Sequence, residues 1–296
     1  MQFTQLDYFN LEELYSQEEI LIRDTVRSFV NEEVIPIIEE HYQAASCPTH
    51  LFKRMAELGL FGITIPQEYG GAEANYTSYG LAMQELERGD SAIRSAASVQ
   101  NSLVMYPLFK YGTEEQKKKW LPRLASGDAI GCFGLTEPDY GSNPGGMITN
   151  AKKTSNGFLL NGAKMWITNG SLANLAIVWA KLENVVHGFL VEKGTPGFSA
   201  PEMKGKYSLR ASVTSELIFQ DCEIPEENIL QIEGLRGPLS CLTQARYGIA
   251  LGAIGAALAV YDSFLNYTKS RIQFGKPIAG FQMVQNKLVW MLNEIS

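Results

Sequence analysis

The sequence has few of the residues that build metal sites and disulfide frameworks. Among its 296 residues are four cysteines and three histidines, and neither type is spaced as a set of metal ligands would be. We therefore expect no metal site. The scattered cysteines predict reduced thiols, as in an intracellular protein.

Basic clusters and targeting segments are also missing. The net charge is −7 and no run of Lys or Arg interrupts it, which argues against a nucleic-acid partner. The first sixteen residues have neither the basic and apolar regions of a signal peptide nor the Arg of a transit peptide. These absences predict a bacterial cytoplasmic protein, or the mature form of a protein of the mitochondrial matrix.

The sequence also has no stretch typical of a membrane span. Its most apolar stretch, residues 247–265, is rich in Gly and Ala and includes Asp262. A charged residue inside such a stretch favours a buried helix over a membrane span. We therefore expect this stretch to be buried in the protein.

Periodic patterns divide the chain into three domains. Residues 1–129 have helical patterns, with capping boxes at Ser16 and Thr113, and predict helices over 16–41, 50–58, 76–88, 92–111 and 113–127. Pro36 is expected to kink the first helix or to start a second one. Residues 130–236 have short runs of Val, Ile, Phe and Trp between Asn-Gly turns, which predict an antiparallel β-barrel or sandwich. The fold class is therefore α+β and multidomain, with a helical domain on each side of a β domain.

Residues 237–296 form the third domain, with helices predicted over 239–271 and from Phe281 onward. The second of these helices has an apolar stripe that consists of Phe281, Val284, Leu288, Met291, Leu292 and Ile295. No cap, Gly or polar tail closes it before Ser296, and two helices are too few to bury their own apolar faces. We expect this helical domain to be incomplete.

Two stretches have the composition of a ligand site. Residues 132–147 begin as an apolar strand and continue as a loop rich in Gly, Pro, Asp, Ser and Asn, which leaves backbone N–H groups free for a ligand. Residues 164–170, KMWITNG, place a Trp and a Thr just before a turn. Together they would suit a large planar cofactor, but ordinary strand-to-loop transitions would look the same. The Gly-rich fingerprint of a Rossmann nucleotide site is absent.

Four motifs follow one another along the chain: FGLTEP followed by GS, KMWITNG, ARYGIALG and SRIQFG. In these motifs and their order, the chain resembles the acyl-CoA dehydrogenase flavoprotein family from about Ser16 to Ser296. Within the family, ELERGDSAIRSAASVQNSLV at 85–104 and GKYSLRAS at 205–212 are most similar to glutaryl-CoA dehydrogenases. The resemblance implies FAD between the β domain and the last helices. It implies these cofactor-binding residues: Phe133, Gly134, Leu135, Thr136, Gly141, Ser142, Trp166, Ile167 and Thr168.

In the resemblance, backbone N–H groups and the hydroxyls of Thr136 and Thr168 bond the edge of the flavin ring. Three further residues would contact the FAD of a neighbouring subunit: Arg271, Phe274 and Gln282. Taken alone, each Thr is typical of a strand-end cap, and Trp166 is typical of a core residue.

The resemblance also implies an acyl-CoA substrate. The channel would be lined by Ser142, Leu239, Ser240, Leu242, Thr243 and Arg246. Arg94, assisted by Ser95 and Ser98 and tuned by Glu87, would bind the distal carboxylate of a glutaryl group. From spacing alone, an ion pair of Arg94 with an acid such as Asp90 is as good an interpretation.

In the family reaction a carboxylate base takes the α-proton, the flavin accepts the β-hydride, and glutaryl-CoA then loses CO2 to give crotonyl-CoA. We expect the base beyond Ser296, because the position where some relatives carry it on the ARYG helix is Ala245 here. The resemblance further implies a role in amino-acid degradation, an acceptor such as electron-transfer flavoprotein, and a homotetramer. A short-chain acyl-CoA dehydrogenase, a non-decarboxylating glutaryl-CoA dehydrogenase and a non-catalytic fragment remain alternatives.

Overall fold

The computed structural model describes residue 7 and residues 9–296. Residues 1–6 and 8 lie outside the described residues. They belong to the predicted first domain and to the first sixteen residues, which were compared above with signal and transit peptides. In the order of the chain, helices come first, strands follow, and helices return. This confirms the predicted fold class.

The N-terminal helices begin at the predicted caps. The Ser16 hydroxyl accepts a hydrogen bond from the Glu19 N–H, and the Glu19 carboxylate accepts one from the Ser16 N–H. The stretch 16–41 forms two helices, separated by a π-helical turn, so the second of the two expectations for Pro36 is correct. Pro36 lies in the first turn of the second helix, where its missing N–H costs nothing. The seven helices described here are α1 Gln17–Phe29, α2 Ile35–Ala44, α3 His50–Glu57, α4 Tyr76–Gly89, α5 Ser91–Ser98, α6 Tyr106–Tyr111 and α7 Glu114–Ala125.

The helix predicted over 92–111 is also divided. A π-helical segment, Val99–Met105, separates α5 from α6, and Pro107 lies in the first turn of α6. The segment lies at the β domain, where a Cβ on Gly131 would lie 2.4 Å from the side chain of Val104. The helical domain and the β domain therefore share one apolar core at this place.

The β domain is one mixed sheet of eight strands. They are β1 Gly131–Gly134, β2 Asn150–Thr154, β3 Gly157–Thr168, β4 Leu175–Leu182, β5 Val185–Glu192, β6 Phe198–Ser199, β7 Thr214–Pro225 and β8 Ile229–Glu233. The order is β6-β7-β3-β2-β4-β5-β8, with β1 beside β4. Most neighbouring strands pair antiparallel as expected, but β1 and β2 each pair with β4 in parallel. Parallel strands need a long connection, so the chain makes a long crossover from β1 to β4. The first part of this crossover, between β1 and β2, is the predicted ligand loop.

The C-terminal region consists of α8 Arg236–Ser270, a hairpin of β9 Ile272–Gln273 and β10 Lys276–Pro277, and α9 Gln282–Ile295. Small residues let α8 approach α4: a Cβ on Gly255 would lie 1.9 Å from the carbonyl oxygen of Gln84. The other faces of α8 are uncovered, and Ile249 and Val260 are at least half exposed. The expectation of a buried helix is therefore correct for one face only. By length and composition α8 could also cross a membrane, although core helices often meet that criterion.

Candidate functional site

A cavity of about 320 Å³ lies where the ends of β1 and β3, the loop around residue 141 and the first turns of α8 meet. Its walls bring together residues that are distant in sequence. They are Val99, Leu103, Phe133, Leu135, Thr136, Gly141, Ser142, Pro144, Trp166, Ile167, Thr168, Leu239, Leu242 and Arg246. Most of the predicted cofactor residues and three of the predicted channel residues on α8 thus share one pocket, and Gly134 lies just behind its wall.

The pocket has hydrogen-bonding groups that the described part of the protein does not use. Between residues 9 and 296, the backbone N–H groups of Leu135 and Thr136 donate to no protein acceptor. The hydroxyls of Thr136, Ser142 and Thr168 likewise have no protein partner within the same range. Leu135 is buried and Thr136 and Thr168 are half-buried, and polar groups in such positions are normally paired. Their unused donors therefore suit a ligand with several acceptor atoms along one edge, whereas the Ser142 hydroxyl is exposed to solvent.

Trp166 forms the aromatic wall of the pocket, and its backbone is strained. It has a φ of 63°, which a residue other than glycine rarely adopts. The register between β3 and β7 shifts between Lys164 and Ile167, as in a β-bulge. The bulge turns the indole outward, so that Trp166 is 58% exposed. The interpretation of Trp166 as a core residue is therefore wrong.

A second cavity, of about 560 Å³, lies on the other side of Trp166 and Thr168. Its outer wall is the loop 203–209. Arg210 anchors this loop to the end of α2, because its guanidinium donates to the backbone oxygens of Tyr42 and Gln43. The Trp166 side chain therefore stands between two cavities, with room for a flat ring beside it.

Arg94 and Glu87 form an ion pair between α5 and α4. Their side chains are 12% and 8% exposed, and the Arg94 Nε donates to the Glu87 carboxylate. Glu87 also accepts from the Ser91 hydroxyl. Among the described residues, no acceptor takes a hydrogen bond from the Arg94 Nη groups. The alternative expected from spacing, an ion pair of Arg94 with a nearby acid, does form. Its partner is Glu87 rather than Asp90, which caps α5 by accepting from the Ala92 N–H.

Arg94 is close to the pocket but does not line it. Val99 does line it, and five residues of helix place Arg94 about 7.5 Å further along the axis. Ser98 is buried and lies beside the Tyr79 hydroxyl, which shares a hydrogen bond of 2.7 Å with Ser102. Ser95 is half-buried on the same helix. The predicted acyl-binding side chains are thus grouped on α4 and α5, outside the lining of the pocket.

The structure leaves several predicted residues outside the pocket. Arg271, Phe274 and Gln282 are exposed around the β9–β10 hairpin, and Phe274 is 92% exposed. Within this chain they do not reach the cavity, and their contact with a neighbouring subunit stays a prediction. The Ser240 hydroxyl bonds to Tyr111 and to the Gly237 carbonyl.

Thr243 also lies outside the pocket. It is exposed on α8, and its hydroxyl donates to the Leu239 carbonyl one turn earlier. A hydroxyl bonded to its own helix in this way is a common arrangement for Thr and needs no ligand. Its predicted role in the acyl-CoA channel stays a prediction.

A buried ion pair behind the pocket was missed by the sequence reasoning. Lys164 and Glu137 have side chains that are 0% and 1% exposed, and the Lys164 Nζ lies 2.8 Å from the Glu137 Oε1. Burial lowers the pKa of Lys164 to about 8, although Glu137 opposes the shift. Burial works to raise the pKa of Glu137, but hydrogen bonds from Ile148 and Lys164 outweigh it and hold that pKa below its usual value. The available signal was a Lys on the inward face of an otherwise apolar strand.

The chemistry of the pocket wall is that of binding and orientation. None of the wall residues described here is Asp, Glu or His, so the wall contains no general base. Ala245 is buried beside the wall residues of α8. Arg246 supplies a cation at the exposed mouth of the pocket, where a phosphorylated ligand would find a partner.

Comparison with known proteins finds the same family for all three parts of the chain. The sequence matches the N-terminal domain of acyl-CoA dehydrogenases over residues 16–128, the middle domain over 132–222 and the C-terminal domain over 233–296. An acyl-CoA dehydrogenase of Bacillus subtilis is 41% identical over 283 residues, which are 93% of this chain and 75% of that protein. The mitochondrial short-chain specific acyl-CoA dehydrogenase of Rattus norvegicus is 36% identical, over 96% of this chain and 72% of its own length.

A solved structure is also very similar. It is a glutaryl-CoA dehydrogenase from Mycobacterium smegmatis in complex with FADH2, with a TM-score of 0.96 and 49% identity. The match covers 98% of this chain and 75% of that one.

Proposed function

The chain belongs to the acyl-CoA dehydrogenase family, and from that premise we propose that it binds FAD and a short dicarboxylic acyl-CoA, with glutaryl-CoA as the preferred substrate. The protein would oxidise and decarboxylate glutaryl-CoA to crotonyl-CoA and CO2. An electron acceptor such as electron-transfer flavoprotein would reoxidise it.

One observation carries the choice of acyl group. Arg94 is largely buried on the helix that leads to the wall residue Val99, and within the described chain its Nη groups donate to no protein acceptor. A guanidinium there is costly unless an anion pairs with it. Glu87 supplies one such anion, and the unused side of the guanidinium suits a second, the terminal carboxylate of a glutaryl group.

The residues of the pocket fit the flavin ring of FAD. The N–H groups of Leu135 and Thr136 and the hydroxyls of Thr136 and Thr168 are unused by the described residues, and they match a ring with acceptor atoms along one edge. Trp166 offers a flat surface beside them. Bound FAD supplies the hydride acceptor.

The remaining residues bind and orient the thioester. Arg246 at the mouth would hold a phosphate of the CoA moiety, and Arg94 would hold the far end of the acyl chain. Fixing both ends limits the positions of the reacting carbons beside the ring. The wall residues described here include no carboxylate, so we propose that the base is a residue outside this wall. As in the family pattern, Arg271, Phe274 and Gln282 would contact the FAD of a second copy of the chain.

A short-chain acyl-CoA dehydrogenase is the second candidate. The apolar side chains of Val99, Leu103 and Leu242 on the pocket wall would accept a butyryl group without help from Arg94. A protein that binds acyl-CoA without turning it over is the third, since the described wall has no base.

The test is a titration of the FAD-loaded protein with glutaryl-CoA and with butyryl-CoA, followed by flavin absorbance under anaerobic conditions. We expect tighter binding of glutaryl-CoA. Bleaching of the flavin band would establish dehydrogenation, whereas binding without bleaching would favour the non-catalytic candidate. Tighter binding of butyryl-CoA would contradict the role of Arg94, and failure to retain FAD would contradict the proposal as a whole.

A further inference from the structure

The ion pair of Lys164 and Glu137 lies behind the pocket wall and touches no part of the cavity. We propose that these two side chains are positioning residues, which hold the Leu135–Thr136 peptide with its N–H directed into the pocket. This inference rests on the proposed binding of FAD. The role of the ion pair would be to set how strongly the protein stabilises the reduced flavin ring.

The direction of the peptide follows from its hydrogen bonds. The Lys164 Nζ donates to the carbonyl oxygen of Leu135 at 3.1 Å, from a position that is fully buried. In a planar trans peptide the C=O and the following N–H point in opposite directions, and the described chain has no cis peptide bond. The lysine therefore turns the Thr136 N–H away from the interior, and no described residue accepts from it.

The next peptide is fixed as well. The carbonyl oxygen of Thr136 accepts from the Met165 N–H at 2.9 Å, next to Lys164 on β3. Glu137 and Tyr140 exchange backbone hydrogen bonds of 3.1 and 3.2 Å. The segment after β1 is thus held to β3 at two successive residues, which leaves little freedom for Thr136.

The Glu137 carboxylate extends this support to a second segment. It accepts from the N–H groups of Ile148 and Thr149 at 2.7 and 3.0 Å. These residues follow the loop that contains Gly141 and Ser142, both of which line the pocket. One carboxylate therefore ties the start of this loop to its end, while its lysine partner ties it to β3.

Stability alone does not account for the pair. A buried ion pair loses its hydration, and well-packed apolar residues of similar size are often as stabilising or more so. The stem of Lys164 also passes under the strand before the loop, where a Cβ on Gly134 would lie 3.1 Å from the Lys164 Cγ. What apolar residues could not supply is a donor for the Leu135 carbonyl and an acceptor for two N–H groups.

The test replaces both charges by apolar side chains of similar size, in the variant Lys164→Met with Glu137→Leu. The unfolding midpoint of the FAD-free protein, the Kd for FAD and the reduction potential of the bound flavin are measured. We expect a lower unfolding midpoint, because the Leu135 carbonyl and the Ile148 and Thr149 N–H groups lose their partners. We also expect a Kd about tenfold higher for the loss of one well-placed hydrogen bond to FAD, and a more negative potential. The Thr136 N–H stabilises the reduced, electron-rich ring more than the oxidised ring. Because the variant loses this hydrogen bond, its reduction potential falls.

The potential separates positioning from a merely structural role. General loosening weakens the binding of oxidised and reduced flavin alike and leaves the potential unchanged. The control is Glu85→Gln, which removes a buried carboxylate paired with Arg27 and Arg88 in the helical domain. It should lower stability and leave the potential at its wild-type value.

Three results would overturn the proposal. A folded double variant with the wild-type potential refutes the positioning role alone. If the double variant does not fold, Glu137→Gln is measured in the same way, and a wild-type potential in that variant has the same meaning. Failure of the wild-type protein to bind FAD refutes the proposed function and the positioning role together.

Discussion

Glu87 and Arg94 form a buried ion pair that lies against the backbone of Gly252. A Cβ on Gly252 would lie 3.1 Å from the Glu87 Oε2 and 3.4 Å from the Arg94 Nε. The glycine on α8 thus leaves just enough room for the pair between α4 and α5. The arrangement keeps a cation in a nearly dry position before any ligand arrives, which is how a protein selects for an anionic group.

The first prediction concerns Arg94→Gln. The variant keeps a side chain with N–H donors but removes the charge, so a terminal carboxylate would be buried without a counterion. We expect the Kd for glutaryl-CoA to rise by roughly 30- to 1000-fold, or about 2–4 kcal/mol. Isothermal titration of the FAD-loaded protein measures it. Butyryl-CoA has no terminal charge and serves as the control, and an equal loss for both ligands would contradict the assignment.

The second prediction compares two glycines on the same face of α8. Gly255→Ala would place a Cβ 1.9 Å from the Gln84 carbonyl oxygen, so α8 must move away from α4. We expect the free energy of unfolding to fall by about 1–3 kcal/mol. In Gly252→Ala only the ion pair of Glu87 and Arg94 must shift, by a few tenths of an ångström. This variant should keep its stability and lose part of its preference for glutaryl-CoA over butyryl-CoA.

Urea denaturation and the two acyl-CoA titrations check this pair of variants. If both glycine variants lost stability equally, the close contact of α8 with Gln84 would not be the limiting one. If Gly252→Ala changed neither stability nor preference, the ion pair would not be held as tightly as the geometry indicates.

Local patterns in the sequence predicted the helices well. Both capping boxes, at Ser16 and Thr113, form as expected. The apolar stripe predicted for α9 consists of the residues that are half-buried in the structure. These features depend on neighbours three or four residues apart, and the period of a helix makes such neighbours visible in the sequence.

Features that depend on distant partners were not predictable in the same way. The parallel pairing of β1 with β4 joins residues more than forty positions apart, and nothing in either strand specifies it. The Lys164–Glu137 pair likewise depends on how the loop after β1 crosses β3. The pocket residues were found because their motifs resemble a family. Val99 and Leu103 lie in the segment 85–104 and Pro144 lies in the stretch 132–147, but none of the three was named as a pocket residue, because sequence alone does not show which side chains of a segment face a cavity.

The third prediction uses the backbone strain at Trp166. At a φ of 63° an alanine keeps the strain and a glycine removes it, although glycine also makes the unfolded chain more flexible. We expect Trp166→Gly to be more stable than Trp166→Ala by about 0.5–1 kcal/mol. Both variants lose the indole, so both should bind FAD equally weakly. Thermal unfolding and FAD titration test this, and equal stability of the two would show that the bulge relaxes.

The last prediction concerns pH. The pKa of Lys164 falls from 10.5 to about 8 on folding because the side chain is buried, so between these two values the unfolded chain binds the additional proton. Stability must then rise with pH across that window, by up to about 1.4 kcal/mol per pH unit. Glu137 acts in the acidic range, because its pKa in the folded protein lies below the usual 4.5. Its contribution to stability is lost as the pH falls below 4.5 and the carboxylate becomes protonated.

Urea denaturation of the wild type and of the Lys164→Met, Glu137→Leu variant between pH 7.5 and 10.5 checks the basic window. Subtracting one curve from the other removes the titration of every other lysine and tyrosine. We expect the wild type to gain stability relative to the variant as the pH rises, because deprotonation relieves the burial of a charge. Parallel curves would mean that Lys164 keeps its proton throughout, and that water or a stronger partner stabilises the ammonium group in the folded protein.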